Sequence, residues 1–397
     1  MSERNHAILS ASAAHRWLTC TPSARLELEE GTDECSVYAE EGTAAHALAE
    51  IKLKHIFGKT TNIEYNADIE AWHNTPEFEK YYNREFEEYV DSHVQFVVNE
   101  TEDIGEFHIF FEVRVNFSNI VPQGFGTADV LIVTNDMVHV IDLKFGAGVP
   151  VSAIKNSQLR LYGFGALNIF PNTKFVKMTI NQPRLDSCDS EIIDKQELIE
   201  WGFDYVKPRA ELAIKGEGQL IASEDACRFC KLKGKCKTRA DHQLSIARQE
   251  FSVIDTRANI AEIITPEKLS YILEVGPAFI NWYNDVKSFA LGQLASGVKI
   301  PGFKLVEGRS NRVITDEKKV AELLLEAGFT EDEIMKPREL LGISKLEALI
   351  GKKLFAETFE EYLIKPQGRL TLVPDTDRRP AINNCDIARL DFAEPIE

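Results

Sequence analysis

The sequence lacks any apolar run long enough to span a bilayer, and it does not begin with a basic segment followed by an apolar one. We therefore expect a cytoplasmic protein without a membrane partner. Internal repeats and low-complexity segments are missing as well. The composition is typical of a globular protein, with 44% hydrophobic and 27% charged residues. The 397 residues suffice for two or three domains.

Basic residues are scarce: 45 Lys and Arg stand against 63 Asp and Glu, which gives a formal net charge of −18. This balance argues against nonspecific binding of nucleic acid by the whole surface. It leaves room for a local basic groove, and it suits a protein that holds cations between carboxylates.

The seven cysteines are odd in number and no secretory signal precedes them, so we do not expect structural disulfides. Cys227, Cys230 and Cys236 lie within ten residues and supply three thiolates, which are ligands for soft metals. Their spacing alone does not separate a zinc site from an iron–sulfur cluster.

Hydrophobic periodicity predicts an α/β protein whose mixed sheet is flanked by helices, followed by a mainly helical C-terminal region. The predicted helices before residue 250 are 10–20, 42–58 with Thr43 as N-cap, 76–100, 153–168 and 193–214. The predicted strands are 107–115, 126–133, 137–144 and 174–183. Helices at 266–295, 316–327, 338–350 and 356–363 complete the pattern. We divide the chain into a core at 1–245 and an accessory region at 246–397.

The hairpin formed by 126–133 and 137–144 carries the strongest chemical signal. A two-residue loop at Asn135 and Asp136 would set Asp129 directly across from Asp142. Lys144 would point to the same face as Asp142, because side chains alternate along a strand. Two opposed carboxylates repel each other, and a divalent cation between them removes that repulsion. With a lysine beside it, such a cation indicates a metal-dependent hydrolysis site.

Three further residues are candidates for this site. His46 falls in the first turn of the predicted helix 42–58, and Gln158 and Tyr162 share one face of the helix 153–168 at i,i+4 spacing. Glu112 lies in the middle of a predicted strand, where a solvent-facing glutamate is an equally good explanation, so we leave it outside the predicted site.

In this order, the motifs resemble those of the RecB-type branch of the PD-(D/E)xK nuclease superfamily. The matching residues are His46, the GxxD that ends at Asp129, Asp142-Leu143-Lys144 and Gln158-x3-Tyr162. The resemblance implies a restriction-endonuclease-like α/β core. It also implies Mg²⁺ or Mn²⁺ held by the ring of His46, by Asp129 and Asp142, and by the backbone carbonyl of Leu143. The imidazole ligand favours Mn²⁺. Lys144 would position the attacking water, and Gln158 and Tyr162 would contact the substrate strand or support the lysine.

The cysteines resemble those of the iron–sulfur nucleases of this branch, which include AddB-like nuclease domains and CRISPR-adaptation exonucleases. By that resemblance Cys20 joins Cys227, Cys230 and Cys236 around a structural 4Fe-4S cluster that ties the N-terminal helix to the end of the core. Zn²⁺ remains the alternative. Cys35 is a rival to Cys20, which we prefer because it stands in a similar CxxS context. Two isolated cysteines are expected to be free thiols, Cys188 and Cys385.

The whole chain also resembles a phage- and prophage-encoded family. The implied function is a Mg²⁺- or Mn²⁺-dependent deoxyribonuclease, an exonuclease on single-stranded or duplex DNA ends. It would act in phage recombination or replication, with a partner protein, in the cytoplasm of a bacterial or phage-infected cell. The alternatives are a noncatalytic iron–sulfur or zinc protein for DNA binding or recruitment, and a nuclease active only within a complex that docks through its C-terminal third.

Basic residues surround the cysteine cluster, and they are either a phosphate-binding patch or a solvated loop. They are Arg228, Lys231, Lys233, Lys235, Lys237 and Arg239. A weaker candidate of the same kind consists of Lys304, Arg309 and Arg312.

Overall fold

Five strands form one mixed sheet in the computed structural model, which describes residues 7–30, 37–102, 104–251 and 266–306. The strands follow one another in sequence order across the sheet. They are β1 (His108–Asn116), β2 (Phe125–Val133), β3 (Met137–Leu143), β4 (Phe175–Gln182) and β5 (Ser187–Asp194). Only the β3–β4 pair is parallel among them.

Twelve α-helices accompany the sheet within the described ranges. Six precede it: α1 (Ala14–Thr19), α2 (Ser23–Glu29), α3 (Val37–Ile56), α4 (Asn62–His73), α5 (Pro76–Glu79) and α6 (Arg84–Asn99). Helix α7 (Ser157–Ile169) connects β3 to β4. After β5 come α8 (Lys195–Glu200), α9 (Lys207–Lys215), α10 (Glu224–Arg228), α11 (Lys237–Phe251) and α12 (Pro266–Ala295). A π-helical segment, Trp201–Val206, joins α8 to α9.

The β2–β3 hairpin has the register that the sequence predicts. Thr134 and Met137 close the turn, because the Thr134 N–H donates to the Met137 carbonyl at 2.9 Å. The last pair of the ladder is Val130 with Ile141, one step before Asp129 and Asp142. The two aspartates therefore lie where the strands stop pairing.

Helix α7 begins at Ser157 rather than at 153, because the side chain of Asn156 caps it by accepting from the Gln158 and Leu159 N–H groups. Two glycines let this helix approach the sheet closely. A Cβ at Gly163 would lie 2.8 Å from Val176, and one at Gly165 would lie 2.8 Å from Val115. The close contact fixes the position of the N-terminal turn that carries Gln158.

The sheet is buried on both faces, as the predicted layered architecture requires. One core packs β1–β5 against α1, α7 and the α8–α9 segment, with Trp17, Leu161 and Met178 among its residues. The other packs the opposite face against α3, α4 and α6, with Leu48 and Val90 among its residues. The described helices include none that is long and apolar enough to span a bilayer.

Several predicted boundaries are wrong for identifiable reasons. The helix predicted at 42–58 starts at Val37, so Thr43 lies inside it and is not the N-cap. The helix predicted at 76–100 breaks into α5 and α6, because Asn83 is extended and caps α6 by accepting from the Phe86 N–H at 2.9 Å. The strand β5 and the helix α4 are absent from the prediction.

The predicted helix 266–295 is confirmed as α12. The predicted helices 316–327, 338–350 and 356–363 lie outside the described residues. The predicted division between residues 245 and 246 falls within α11 and stays a prediction.

Candidate active site

The two predicted carboxylates are held at the open end of the β2–β3 hairpin. Beyond Val130 and Ile141 the backbones no longer pair, and Asp129 Oδ2 instead accepts a hydrogen bond from the Leu143 backbone N–H at 2.8 Å. The Asp129 side chain thus accepts a hydrogen bond of the kind that a backbone carbonyl of β2 accepts in the paired part of the hairpin. Asp142, the residue before Leu143, is buried with 2% of its surface exposed.

A network of hydrogen bonds joins Asp142 to the three other predicted polar residues on this side of the site, which are Lys144, Gln158 and Tyr162. Lys144 Nζ lies 2.8 Å from Asp142 Oδ2 and donates to Gln158 Oε1 at 3.1 Å. The Gln158 Nε2 group donates to Asp142 Oδ1 at 3.1 Å and to the Tyr162 hydroxyl at 3.2 Å. One amide therefore fixes both the lysine and the carboxylate, and Tyr162 fixes the amide.

His46 reaches the site from α3, on the opposite face of the sheet from α7. Its Nδ1 lies 3.3 Å from Asp129 Oδ2. Burial acts to lower the pKa of His46, but the charge and hydrogen bond of Asp129 and the charge of Asp142 together outweigh burial and raise that pKa to about 9. The metal-free site therefore contains an imidazolium, and a cation that binds His46 must displace its proton.

The pKa values of the two aspartate carboxyl groups are shifted in opposite directions. For Asp129, burial is opposed by His46 and the Leu143 N–H, which hold its pKa below the usual range. For Asp142, burial and the neighbouring Asp129 charge outweigh the Lys144 ammonium, and its pKa is raised. A negative charge at Asp142 is thus the costly one, and an added cation would lower that cost.

Glu112 joins this group, although we left it out of the predicted site. A carboxylate oxygen of Glu112, a ring nitrogen of His46 and a carboxylate oxygen of Asp129 all lie within 4.8 Å of one another. The β1–β2 register pairs Phe111 with Val130 and Val113 with Ala128, which brings Glu112 level with Asp129. Finding it from sequence would have required that register, whereas we assigned only the β2–β3 pairing.

Glu112 is held in an uncommon backbone conformation, with φ at 49° in the middle of a strand. Such strain persists where surrounding structure imposes it, and it is concentrated at functional sites. Although Glu112 is exposed to solvent, partial desolvation of its carboxyl and the Asp129 charge raise the pKa of Glu112 to about 7.

These residues fit a divalent cation. The donor set of one imidazole and several carboxylates suits Mn²⁺ or Mg²⁺. Asp142 is buried, and its Oδ2 lies 2.8 Å from the Lys144 ammonium. A buried carboxylate is stabilised by positive charge beside it, which a divalent cation would also supply.

The four predicted cysteines are brought together in a second place. They line one cavity of about 210 Å³. Cys20 follows α1, Cys227 and Cys230 lie at the end of α10, and Cys236 immediately precedes α11. Burial raises the pKa of Cys230 to about 12 and also raises that of Cys227, so the protein by itself does little to stabilise thiolates there.

The remaining cysteines are separate from this cavity or lie outside the description. Cys188 is exposed on β5. Cys35, the rival to Cys20, and Cys385 lie outside the described residues.

The basic residues around the cysteines are largely neutralised within the protein. Arg239 pairs with Asp285 at 2.6 Å and Lys233 with the same carboxylate at 3.2 Å. The remaining two ion pairs are Lys235 with Glu30 and Lys237 with Asp241. At least four of the six predicted cations thus have acidic partners, which favours the structural explanation of this patch. Of the weaker candidate set, Lys304 is exposed, and Arg309 and Arg312 lie outside the described residues.

Comparison with known proteins identifies a family and includes a match to a distant solved structure. A family profile described as "Protein of unknown function (DUF2800)" matches residues 6–380, which is most of the chain. A solved structure described as "Crystal structure of SSO0001" is 14% identical over 55% of this chain and 95% of that chain, with a TM-score of 0.23. At that TM-score the likeness supports no conclusion about fold or function.

Proposed function

We propose that this chain, which belongs to the DUF2800 family of proteins of unknown function, is a metal-dependent DNA nuclease. Its core would be a restriction-endonuclease-like member of the PD-(D/E)xK superfamily, in the RecB-type branch. The observation that supports this most directly is the convergence of Asp129, Asp142 and Lys144 at the end of the hairpin. The motif order that suggested the superfamily is independent of that convergence.

His46, Glu112, Asp129 and Asp142 would hold the cation, together with the Leu143 carbonyl that the resemblance implies. A bound Mn²⁺ or Mg²⁺ would polarise the phosphate and lower the pKa of the attacking water. Glu112 is the ligand that this chain adds to the residues carried over from the resemblance.

Lys144 acts as a hydrogen-bond donor in this proposal, not as a base. Burial favours the neutral amine, but the charge and hydrogen bond of Asp142 and the charge of Asp129 together outweigh burial and raise the pKa of Lys144. An ammonium has three N–H donors, and Asp142 and Gln158 occupy two of them. The third can orient a water or stabilise the charge that develops on the phosphate.

Gln158 and Tyr162 support that lysine. Gln158 holds both members of the Lys144–Asp142 ion pair, because its amide accepts from the Lys144 Nζ and donates to Asp142 Oδ1. Burial and the Asp142 charge raise the pKa of Tyr162, so its hydroxyl stays protonated and can donate to substrate while it accepts from Gln158.

DNA as the substrate, exonuclease action on single-stranded or duplex ends and a role in phage recombination or replication come from the resemblance. The rival is a noncatalytic DNA-binding or recruitment protein of the same fold. That rival predicts the loss of a metal ligand or of the lysine, and this chain retains Asp129, Asp142 and Lys144.

A structural 4Fe-4S cluster at the four cysteines is part of the proposal. Zinc with Zn–S bonds of about 2.3 Å would bring the thiolates within about 4 Å of one another. In the described part of the chain no three cysteine sulfurs lie within 4.8 Å of each other, although all four line one cavity. A cluster, whose thiolates bind different iron atoms, suits the wider arrangement.

Cleavage of end-labelled linear DNA with Mn²⁺ tests the enzyme assignment. We expect activity in the wild-type protein, none in Asp142→Asn, and unchanged activity in Asp136→Asn. Asp136 is a matched control because it lies in the turn of the same hairpin and its side chain is 62% exposed. Activity that survives in Asp142→Asn would overturn the assignment.

Metal analysis of anaerobically purified protein tests the cluster. We expect iron and sulfide with a brown colour that is lost in Cys230→Ser and kept in Cys188→Ser. A colourless protein that contains zinc in the wild type would show the cluster assignment to be wrong.

A further inference from the structure

A polar cavity of about 310 Å³ lies between the α10–α11 segment and α12. It is separate from the acidic site, and it adjoins the cysteine cavity through the shared walls Lys233 and Arg239. The side chains that matter for the argument are Arg228, Arg239, Gln243, Asn281, Asn284 and Asp285.

Both helices present one face to this cavity. Arg239 and Gln243 are four residues apart on α11, and Asn281, Asn284 and Asp285 fall on one side of α12. The Arg239 guanidinium fixes the two walls together, because its Nη1 donates to Asp285 Oδ2 at 2.6 Å and to the Lys233 carbonyl at 3.1 Å. Arg239 is itself only 7% exposed. The walls of the cavity are therefore held in place before any ligand arrives.

Gln243 points to a missing partner. Its side chain is 7% exposed, and among the described residues no donor reaches its buried Oε1. A buried amide oxygen without a donor is costly, and rotation of the amide that presents this oxygen to a ligand N–H in the cavity would remove that cost. Asn281 and Asn284 add further amides along the α12 side.

The same cavity offers an arginine that can bind an anion. Arg239 and Lys233 share Asp285, whereas no ion pair within the described ranges involves Arg228, an exposed residue on the rim. A guanidinium on the rim favours phosphate, which it can bind through two parallel N–H groups.

We propose that this cavity binds a nucleotide, with the base edge on the amides of Gln243, Asn281 and Asn284 and the phosphate on Arg228. Amide side chains carry a donor and an acceptor side by side, which matches the edge of a base. The volume lies in the range of ligand pockets, about 300–1,000 Å³. The nucleotide is either free or the terminal residue of a DNA strand, and the chemistry of recognition is the same. The site does not depend on the proposed nuclease activity.

Calorimetric titration tests this in the full-length Asp142→Asn protein without divalent cations, so that nothing is hydrolysed. The probes are the four ribonucleoside and four deoxyribonucleoside 5′-monophosphates, the corresponding nucleosides, and a 5′-phosphorylated ten-nucleotide single strand. We expect at least one probe to bind, and about tenfold weaker binding after Gln243→Leu, the loss of one buried hydrogen bond. Arg228→Ala should weaken binding of the phosphorylated probes and leave that of the matching nucleoside unchanged.

Gln219→Leu is the matched control, because Gln219 is an exposed glutamine that does not line this cavity. Binding of a monophosphate assigns a free nucleotide, and binding of the oligonucleotide alone, lost in Gln243→Leu, assigns the strand terminus. Absence of binding by every probe overturns the proposal. So does binding that neither Gln243→Leu nor Arg228→Ala changes. Because Arg228 is exposed, we expect Arg228→Ala to fold. Its effect on binding therefore tests the proposal even if Gln243→Leu does not fold.

Discussion

Asp129 accepts a hydrogen bond from the backbone N–H of Leu143 at 2.8 Å, so a side chain of β2 continues the ladder where the backbones separate. This contact places the Asp129 carboxylate against β3 at Leu143, the residue next to Asp142 in that strand. The candidate site therefore depends on the end of β-pairing, and variants of its residues can be designed to keep that hydrogen bond.

Asp129→Asn preserves an acceptor for the Leu143 N–H and removes the charge. The Asp129 charge is the largest of the contributions that raise the pKa of His46 to about 9 against burial, so we expect that pKa to fall below the wild-type value in the variant. The measurement is an NMR titration of the metal-free protein that follows the His46 ring. An unchanged His46 pKa would mean that the two residues are not adjacent in solution.

Glu112→Gln tests the residue that the sequence did not assign to the site. Loss of one carboxylate ligand should weaken Mn²⁺ binding about tenfold or more. Titration with Mn²⁺ followed by electron paramagnetic resonance measures it, with Glu106→Gln, an exposed glutamate before the same strand, as the control. Equal affinity in the Glu112 variant and the wild type would exclude Glu112 from the metal site.

Gln158→Ala should lower the turnover number on DNA by about 10- to 100-fold, because it frees both Lys144 and Asp142 from a shared hydrogen-bond partner. Mn²⁺ affinity should stay close to that of the wild type, since the amide is not a proposed ligand. Tyr162→Phe, which removes only the hydroxyl that holds the amide, should give a smaller loss. If Gln158→Ala reduced Mn²⁺ affinity and left turnover intact, Gln158 would have to be placed among the ligands.

The burial of neutral His139 predicts that the free energy of unfolding falls in mild acid. Burial, with a smaller contribution from the Lys177 charge, lowers its pKa to about 3, and its Nε2 pairs with the Thr179 hydroxyl at 2.8 Å. Between pH 6.5 and 3 the unfolded chain binds a proton at this residue and the folded chain does not, so stability falls as pH falls. At pH 5 the cost is about 2 kcal/mol.

The check is the free energy of unfolding of the wild type and of His139→Gln at pH 7.5 and pH 5. We expect the difference between the two pH values to shrink in His139→Gln and to stay unchanged in His108→Gln, a variant of an exposed histidine at the start of β1. If the pH dependence is the same in His139→Gln as in the wild type, His139 is not buried in its neutral form.

The sequence was informative where local chemistry decides structure. A short turn fixes the register of a hairpin, which is why the pairing near Asp129 and Asp142 could be predicted from Asn135 and Asp136 alone. Helical spacing likewise predicted that Gln158 and Tyr162 share a face of the helix. In the structure the Gln158 Nε2 lies 3.2 Å from the Tyr162 hydroxyl oxygen.

The missed features depend on tertiary contacts or on weak patterns. Strand β5 is an edge strand of mostly polar residues, and Ile193 is its one buried side chain, so no alternating apolar signal marks it. Helix α4 buries only Trp72, and its clearest signal is the capping box of Thr61 and Glu64, which periodicity does not register. Glu112 needed the β1–β2 pairing, which joins segments that no short turn connects.

Lys144→Met provides the most direct test of the central claim that this site hydrolyses phosphodiester bonds. The assay follows end-labelled linear DNA with purified protein and Mn²⁺, and Lys174→Met, a variant of an exposed lysine paired with Asp136, is the control. We predict products that carry 5′-phosphates from the wild type and from Lys174→Met, and at least a hundredfold less cleavage from Lys144→Met with Mn²⁺ binding retained. Cleavage by Lys144→Met at the wild-type rate would contradict the account.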